Sequence, residues 1–466
     1  QKKMTPVKDR NGWVRPLGSK ELLFEEAHNA GCLNTCYTIT INAQAPVLET
    51  QVQQALVHLY RKVPNLRMSI QKFDDGTHWW REMSRDNTDF VFLNKADLED
   101  ELQKMLSYHF DVSNGPMWCV RLIQARSEDL CIMESIKQQF TYQYYLNYCI
   151  HHSISDGFTN MNIIGFFLKI LNSVIAGEYI DDEAQLAYHD DGSQTNKRVE
   201  MKRNEFELNP DVKANKIAII SERKNKPPLL TKVYPANTLI TPCTRAITVN
   251  LDKETTKKFL TKCKTEKVSA HAGLCALSNA ALAAIMKDKG LEEDSYEVNM
   301  EHSINLRRYW EGDTSKAFGP HVSNITQISN ITKDVHEMIW SYARSIQDEF
   351  YAQLNNDEVF EWGLLTESSK PPETPRFQSP PTPFRDYFIS NMGNIDSMIP
   401  DNLHHIQMTH IRRVTAIHLL GSAMSQNMQT LRGHFLYSCN FCPHYISADT
   451  AHLYVKKLFK KLRDQI

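Results

Sequence analysis

Apolar positions along this chain fall into two alternating rhythms, one of period two and one of period near 3.6. Cys36 to Asn42 alternates, with Tyr37, Ile39 and Ile41 on one side, and predicts a strand. Val52, Ala55, Leu56, Leu59 and Val63 then recur with helical spacing, and Pro64 stops the helix they predict. Leu66 to Phe73 and Thr77 to Trp80 predict a hairpin about Asp74, Asp75 and Gly76. Arg15 to Glu25 reads as a turn and a short helix, and Leu98 to Tyr108 as another helix. Met117 to Gln124 and Tyr142 to Ile150 read as strands, while Ser135 to Phe140 has no clear pattern. Met161, Ile164, Leu168, Leu171 and Ile175 make one apolar helix face, and Gly177 sits where a helix-ending glycine belongs.

The rhythm lapses over Glu178 to Thr241, a polar and charged stretch with Pro210, Pro227, Pro228 and Pro235, which reads as an interdomain connection carrying a little structure. It resumes with a strand at Arg245 to Leu251. Asp252 and Ser269 are placed to cap helices reaching about Lys264 and Lys287. The second of these is rich in alanine, so it can pack closely on two sides. Tyr296 to Leu306 predicts a strand, and Val335 to Phe350 a helix. Glu367 to Pro383 is a proline-rich loop. Asp386 to Asn391, Thr415 to Leu420 and Gly433 to Asn440 predict strands, and Ala448 to Leu462 closes the pattern as a helix. The expected division is residues 1–182, a connection at 183–241, and 242–466.

Length supports that division, because 466 residues exceed one ordinary core. Charge narrows the partners. With 53 basic and 55 acidic residues the net charge is 53 − 55 = −2, which offers nucleic acid no basic excess. No apolar run approaches the ~18–20 residues of a membrane span, and Gln1 to Lys3 before Met4 lacks a signal peptide's apolar core. Ten cysteines without framework spacing read as thiols of a cytoplasmic protein, although Asn324 and Asn330 each begin a glycosylation-type triplet. Cys439, Cys442 and His444 lack a second paired cluster and read as buried thiols, so no metal site is expected. The basic end of the last helix reads as a docked amphipathic helix, not a membrane anchor.

The candidate chemistry sits in His151-His152-Ser153-Ile154-Ser155-Asp156-Gly157, where a predicted strand gives way to a predicted helix. A neutral imidazole there can take a proton from an attacking alcohol or amine. Strand alternation would turn His151 and His152 to opposite sides, so the two cannot share one role. Asp156 can orient a side chain or cap the following helix, and Gly157 can adopt backbone conformations other residues resist. By itself the heptapeptide also fits a structural strand end or a metal site.

The heptapeptide resembles the HHxxxDG signature of the chloramphenicol-acetyltransferase-like acyltransferases, which include alcohol acetyltransferases, polyketide-associated acyltransferases and condensation domains. Arg15 to Glu21, Phe110 to Trp118, Ile304 to Arg307 and Ile389 to Gly393 are similar, in order, to further segments of that superfamily. The plant-type DFGWG motif is not seen. The resemblance implies an α/β (α+β) fold of two sandwich domains, each a mixed sheet covered by helices, with a tunnel between them. It implies His152 as general base and Asp156 as a mainly structural member of the catalytic pair, held by Arg307. His151 and Gly157 would support the site, and Ser390, Asn391 and Gly393 would approach substrate.

The implied reaction moves an acyl group from acyl-CoA to a small hydroxyl- or amine-bearing acceptor in a ternary complex. CoA is a cosubstrate, no cofactor is held permanently, and a monomer is expected. A free-standing condensation-type enzyme using carrier-bound donors, or a non-catalytic binding protein, would keep the same fold. No GxSxG, Walker or GxGxxG motif points to another chemistry.

Overall fold

The computed structural model describes residues 12–94, 96–126, 131–237, 239–332, 335–368, 377 and 382–466. Residues Gln1 to Met4 and most of the proline-rich loop lie outside this set. The chain forms two compact units, each gathered from three segments. The first holds residues 1–193, 310–321 and 394–416, and the second holds 194–309, 322–393 and 417–466. This interleaving differs from the simple succession of 1–182, 183–241 and 242–466.

Through residue 193 the elements are β1 Trp13–Pro16, α1 Ser19–Asn29, β2 Thr35–Ala43, α2 Glu49–Lys62, β3 Met68–Lys72, β4 His78–Glu82 and β5 Phe90–Leu93. They continue as α3 Leu98–Leu106, β6 Trp118–Gln124, α4 Glu134–Lys137, β7 Tyr142–Ile150, α5 Gly157–Ala176 and β8 Tyr188–His189. The rest of the chain forms α6 Ser193–Leu208, α7 Pro210–Lys224, α8 Leu229–Val233, β9 Arg245–Leu251, α9 Lys253–Thr265, α10 Ala270–Asp288 and β10 Ser295–Asn305. Then come β11 Ala317–Phe318, β12 Val322–Thr332, α11 Ile339–Asn355, α12 Trp362–Ser368, β13 Arg385–Asn394, β14 Ile406–Thr415, β15 Ser422–Leu431, β16 His434–Phe441 and α13 Ala448–Asp464.

In the first unit five strands run in the order β14-β2-β7-β6-β5, antiparallel except for the parallel β5–β6 pair. A small antiparallel sheet, β1-β4-β3, and the parallel pair β8–β11 complete it. β2 is buried along its whole length, so its alternation hides a strand covered on both faces. Among the described residues α5, taken singly, is long and apolar enough to cross a membrane by length and composition. Here it is a core helix: Met161, Ile164, Leu168 and Leu171 are buried, and it packs on α2 and β14. Gly165 permits that packing, because a Cβ there would lie 2.1 Å from the Met398 carbonyl oxygen. Gly177 ends the helix in the left-handed region at φ +71°, as its spacing predicts.

The second unit is built on six strands in the order β12-β10-β13-β15-β16-β9, with β10 and β13 parallel. Leu274, Leu277 and Ile285 of α10 pack with Tyr454 and Leu458 of α13 and with Val298, Met300 and Tyr387 of the sheet. The alanines let α10 lie against both α11 and α13. Asp252 and Ser269 cap α9 and α10 through bonds to Thr255 N–H and Ala272 N–H.

Two sequence expectations fail here for local reasons, and a third is exceeded. The polar connection, expected to carry a little structure, carries the long helices α6 and α7, and Phe206 anchors α6 against Leu364 and Leu365. Thr415 to Leu420 is not a strand: β14 ends at Thr415 and the chain turns, with Ile417 and Leu419 buried and Gly421 at φ +67°. The hairpin strand assigned from Leu66 begins only at Met68, because Pro64–Arg67 forms a 3-10 turn.

Candidate active site

The site forms at the end of β7, where a short helix presents its buried face to two adjacent histidines. Local chemistry fixes that helix. Arg15 forks onto both carboxylate oxygens of Glu21 at 2.7 Å each, and Glu21 Oε2 also accepts from Gly18 N–H at 2.7 Å. Burial acts to raise the Glu21 pKa, but Arg15 and His189 outweigh it and hold the carboxyl low. The segment Arg15 to Glu21 therefore sets where α1 begins. One face of α1 then carries Phe24, Glu25 and His28 onto the β7 end.

His151 is wholly enclosed. Its Nδ1 accepts from Ser153 N–H at 3.1 Å and lies 2.7 Å from Ser153 Oγ. That leaves Nε2 to carry the proton, and Nε2 lies 3.1 Å from Glu25 Oε2. Burial acts to raise the Glu25 pKa, but contact with His151 and Asn29 holds it below the usual value. Ser153, His151 and Glu25 thus copy the order of a nucleophilic triad, yet Ser153 and His151 have no exposure at all. This is a structural relay. The backbone agrees, since His151 N–H donates to the Met117 carbonyl at 2.9 Å and ties the Phe110 to Trp118 segment to the site.

His28 stands behind the pair. Its Nε2 accepts from Phe110 N–H at 3.1 Å, so its Nδ1 donates to Asn34 Oδ1 at 3.1 Å. Its ring packs 4.4 Å from that of His151. Burial, assisted by His151, lowers its pKa to about 4. Both nitrogens are used, so His28 is a fixed neutral support.

His152 differs. It is only half-buried, with its ring 4.3 Å from Phe24. Burial draws its pKa down to about 4, against the opposing influence of its own carbonyl and of Asp156. Its Nδ1 is enclosed without an ordinary hydrogen-bond partner. A proton on Nδ1, toward the residue's own carbonyl, leaves the lone pair on Nε2. The imidazole is neutral at pH 7 and holds a lone pair ready, which is the state a general base needs.

Asp156 caps α5, its Oδ1 accepting from Thr159 N–H at 2.9 Å. Gly157 opens α5 as an ordinary helical residue, so the unusual backbone freedom anticipated for it is not used. Arg307 belongs to the second unit, in the turn after β10, where its backbone N–H and guanidinium both reach Asn305 Oδ1 at 3.1 and 3.2 Å. Ser390, Asn391 and Gly393 lie at the end of β13, also in that unit. Asn391 Oδ1 accepts from Gly393 N–H at 2.7 Å, closing a local turn at φ +67°. The structure thus brings His151, His152 and Asp156 together with partners that the sequence reading missed: Phe24, Glu25 and His28. Their signal was present as an acid and a histidine at i and i+3 on a short helix with a buried face.

Neither a family model nor a curated protein sequence matches the chain. Solved structures do. The chain is similar to the TRI3 trichothecene 15-O-acetyltransferase from Fusarium sporotrichioides, at 11% identity and a TM-score of 0.72, covering 98% of this chain and 97% of that one. It is similar to the first condensation domain of the CDA synthetase, at 11% identity and TM-score 0.69, covering 96% and 95%. It is similar also to polyketide synthase associated protein 5 from Mycobacterium tuberculosis, at 13% identity and TM-score 0.64, covering 97% and 98%. At such identities the likeness establishes the fold alone, which this chain shares with an O-acetyltransferase and with condensation domains.

Proposed function

From that fold, we propose that the chain is an acyltransferase in which His152 is the general base. The reading rests on one observation: of the three histidines packed at the end of β7, His28 and His151 are each held by other side chains or backbone groups, whereas His152 is partly open and, among the described residues, no other side chain is hydrogen-bonded to it. In the proposed reaction an acceptor hydroxyl or amine gives its proton to Nε2 and attacks an acyl thioester. The resulting oxyanion collapses, and the imidazolium returns the proton to the leaving thiolate. Atoms balance without a covalent enzyme intermediate. The donor proposed is acyl-CoA, and Arg307 is proposed to pair with Asp156, as the motif resemblance implies. Ser390 and Asn391 are proposed to approach the substrate.

A low pKa suits this use at neutral pH in availability, though it makes the base weaker.

The test is CoA release from a panel of acyl-CoAs with pooled alcohols and amines, with products read by mass. His152→Ala should abolish release while circular dichroism stays unchanged. Undiminished turnover in a folded His152→Ala variant would sink the proposal. Likeness to condensation domains supports a second reading, in which the donor is an acyl group on a carrier protein. Turnover with acyl-carrier protein and none with acyl-CoA would select it.

A further inference from the structure

We propose that His271, Cys275 and His302 form a binding site for a borderline-soft divalent cation of the zinc class, within the core of the second unit. The site is independent of the chemistry proposed for His152. Its three ligand atoms lie within 4.8 Å of one another.

The local structure explains why they meet. His271 and Cys275 are one helical turn apart on α10, four residues in sequence, so both side chains leave the same face. His302 projects from β10 against that face. His271 Nε2 and His302 Nδ1 stand 2.9 Å apart. Cys275 and His302 are fully buried. The Phe350 ring closes one side, with its centroid 5.2 Å from His271 and 5.0 Å from His302.

The nitrogen on the far side of His302 supplies a second, independent pointer. Nε2 of His302 is enclosed, away from His271 and Cys275. It faces Gln327, whose own Nε2 donates to the Ile346 carbonyl at 3.0 Å and so leaves Oε1 toward the ring. A proton held on Nε2 by that amide makes Nδ1 the lone-pair nitrogen, aimed at His271 and Cys275. Histidines that bind metals are oriented this way by a second hydrogen-bonding group. Burial also keeps both imidazoles neutral, as ligands must be, with His271 at about 4.

Two imidazoles and one sulfur match zinc's preferences, and a water can complete four ligands. Bond lengths of about 2.0–2.3 Å put ligand atoms of one zinc roughly 3.3–3.8 Å apart, so the two imidazole nitrogens, now 2.9 Å apart, would open by about half an ångström, while separations of up to 4.8 Å would close by about 1 Å. Burial pushes the Cys275 thiol up to about 12. Binding must therefore expel its proton to solvent, and affinity should rise with pH. Bound metal would tie α10 to β10 and add to stability by mass action.

The experiment uses the whole chain after dialysis against a chelator, titrated first with Co²⁺ and then with Zn²⁺. The expected result is one equivalent of tetrahedral Co²⁺ with a thiolate-to-cobalt charge-transfer band, displaced by Zn²⁺, and a higher Tm with Zn²⁺. Cys275→Ser should lose the band, and His302→Gln should weaken binding by about 10–100-fold or more. Absence of the charge-transfer band in folded wild-type protein would overturn the site and requires no variant. Persistence of the same band in Cys275→Ser would overturn it as well.

Discussion

The end of β7 and the α10–β10 junction both bury histidines beside aromatic rings, but they use them differently. At β7, His28 and His151 each have both nitrogens engaged by named protein groups. Only His152 is left incomplete, and it alone of the two adjacent histidines is partly open. At the α10–β10 junction the two imidazoles chiefly face each other, beside a thiol. A neutral imidazole offers one donor and one acceptor. Counting what each nitrogen meets therefore separates a support from a reactive group, and a support from a ligand. Burial alone does not, since it lowers the pKa of His28, His152 and His271 alike to about 4.

The strongest way to break this comparison is to remove the open histidine and the closed one separately. His152→Ala should lower kcat by about 10²–10⁴-fold with stability little changed. His151→Ala should do the reverse, destabilising the fold through the loss of its contacts to Ser153 and Glu25. Progress curves and urea melts on both proteins make the check. Equal losses of kcat per folded molecule would refute the division of roles.

Acid should act on the first unit through two of its buried imidazoles. His28 and His189 carry folded pKa values of about 4 against about 6.5 when unfolded. Between those values the unfolded chain binds more protons, so stability is lost as pH falls from about 6.5 toward 4. Each group contributes up to roughly 3 kcal/mol. Urea midpoints measured across this window should fall steadily. The same range should reveal the base, because the acid limb of kcat/KM should have its midpoint near 4 instead of 6.5.

A smaller effect sharpens the assignment of His151. Glu25→Ala strips the acceptor from a fully buried Nε2 and should cost about 1–3 kcal/mol. Glu25→Gln keeps an acceptor and should cost less. Neither should change kcat per folded molecule by more than a few-fold if the relay of Ser153, His151 and Glu25 is structural.

What the sequence revealed follows physical lines. β7, β9, α5 and α10 were readable to their ends because continuous apolar faces and capping residues mark them. β15 was missed because Ser425, Gln426, Asn427 and Gln429 are buried. Gln426 is satisfied by Ser278 and Tyr437, a tertiary arrangement that periodicity does not register. α7 was hidden because Pro210 resembles a breaker, whereas here it occupies the first helical position after Asn209. At the site the motif gave His152 and Asp156, but only packing could supply Phe24, Glu25 and His28 from a different element. His271 and Cys275 were visible four residues apart, yet nothing in the spacing tied them to His302.

Asp156 carries the smallest expected effect and the finest distinction. As a cap its carboxylate serves the Thr159 N–H, so Asp156→Ala should cost about 1 kcal/mol. Asparagine caps as well as aspartate, so Asp156→Asn leaves that function in place and removes only the charge. The charge has its own reach: Asp156 supports protonation of His152, and without it the acid limb of kcat/KM should move still lower. If Asp156 also holds Arg307, the pair Asp156→Asn and Arg307→Gln should be non-additive by about 0.5–3 kcal/mol in a double-mutant cycle. Strict additivity would leave Asp156 as a helix cap that tunes its neighbour through space, and would remove Arg307 from the site.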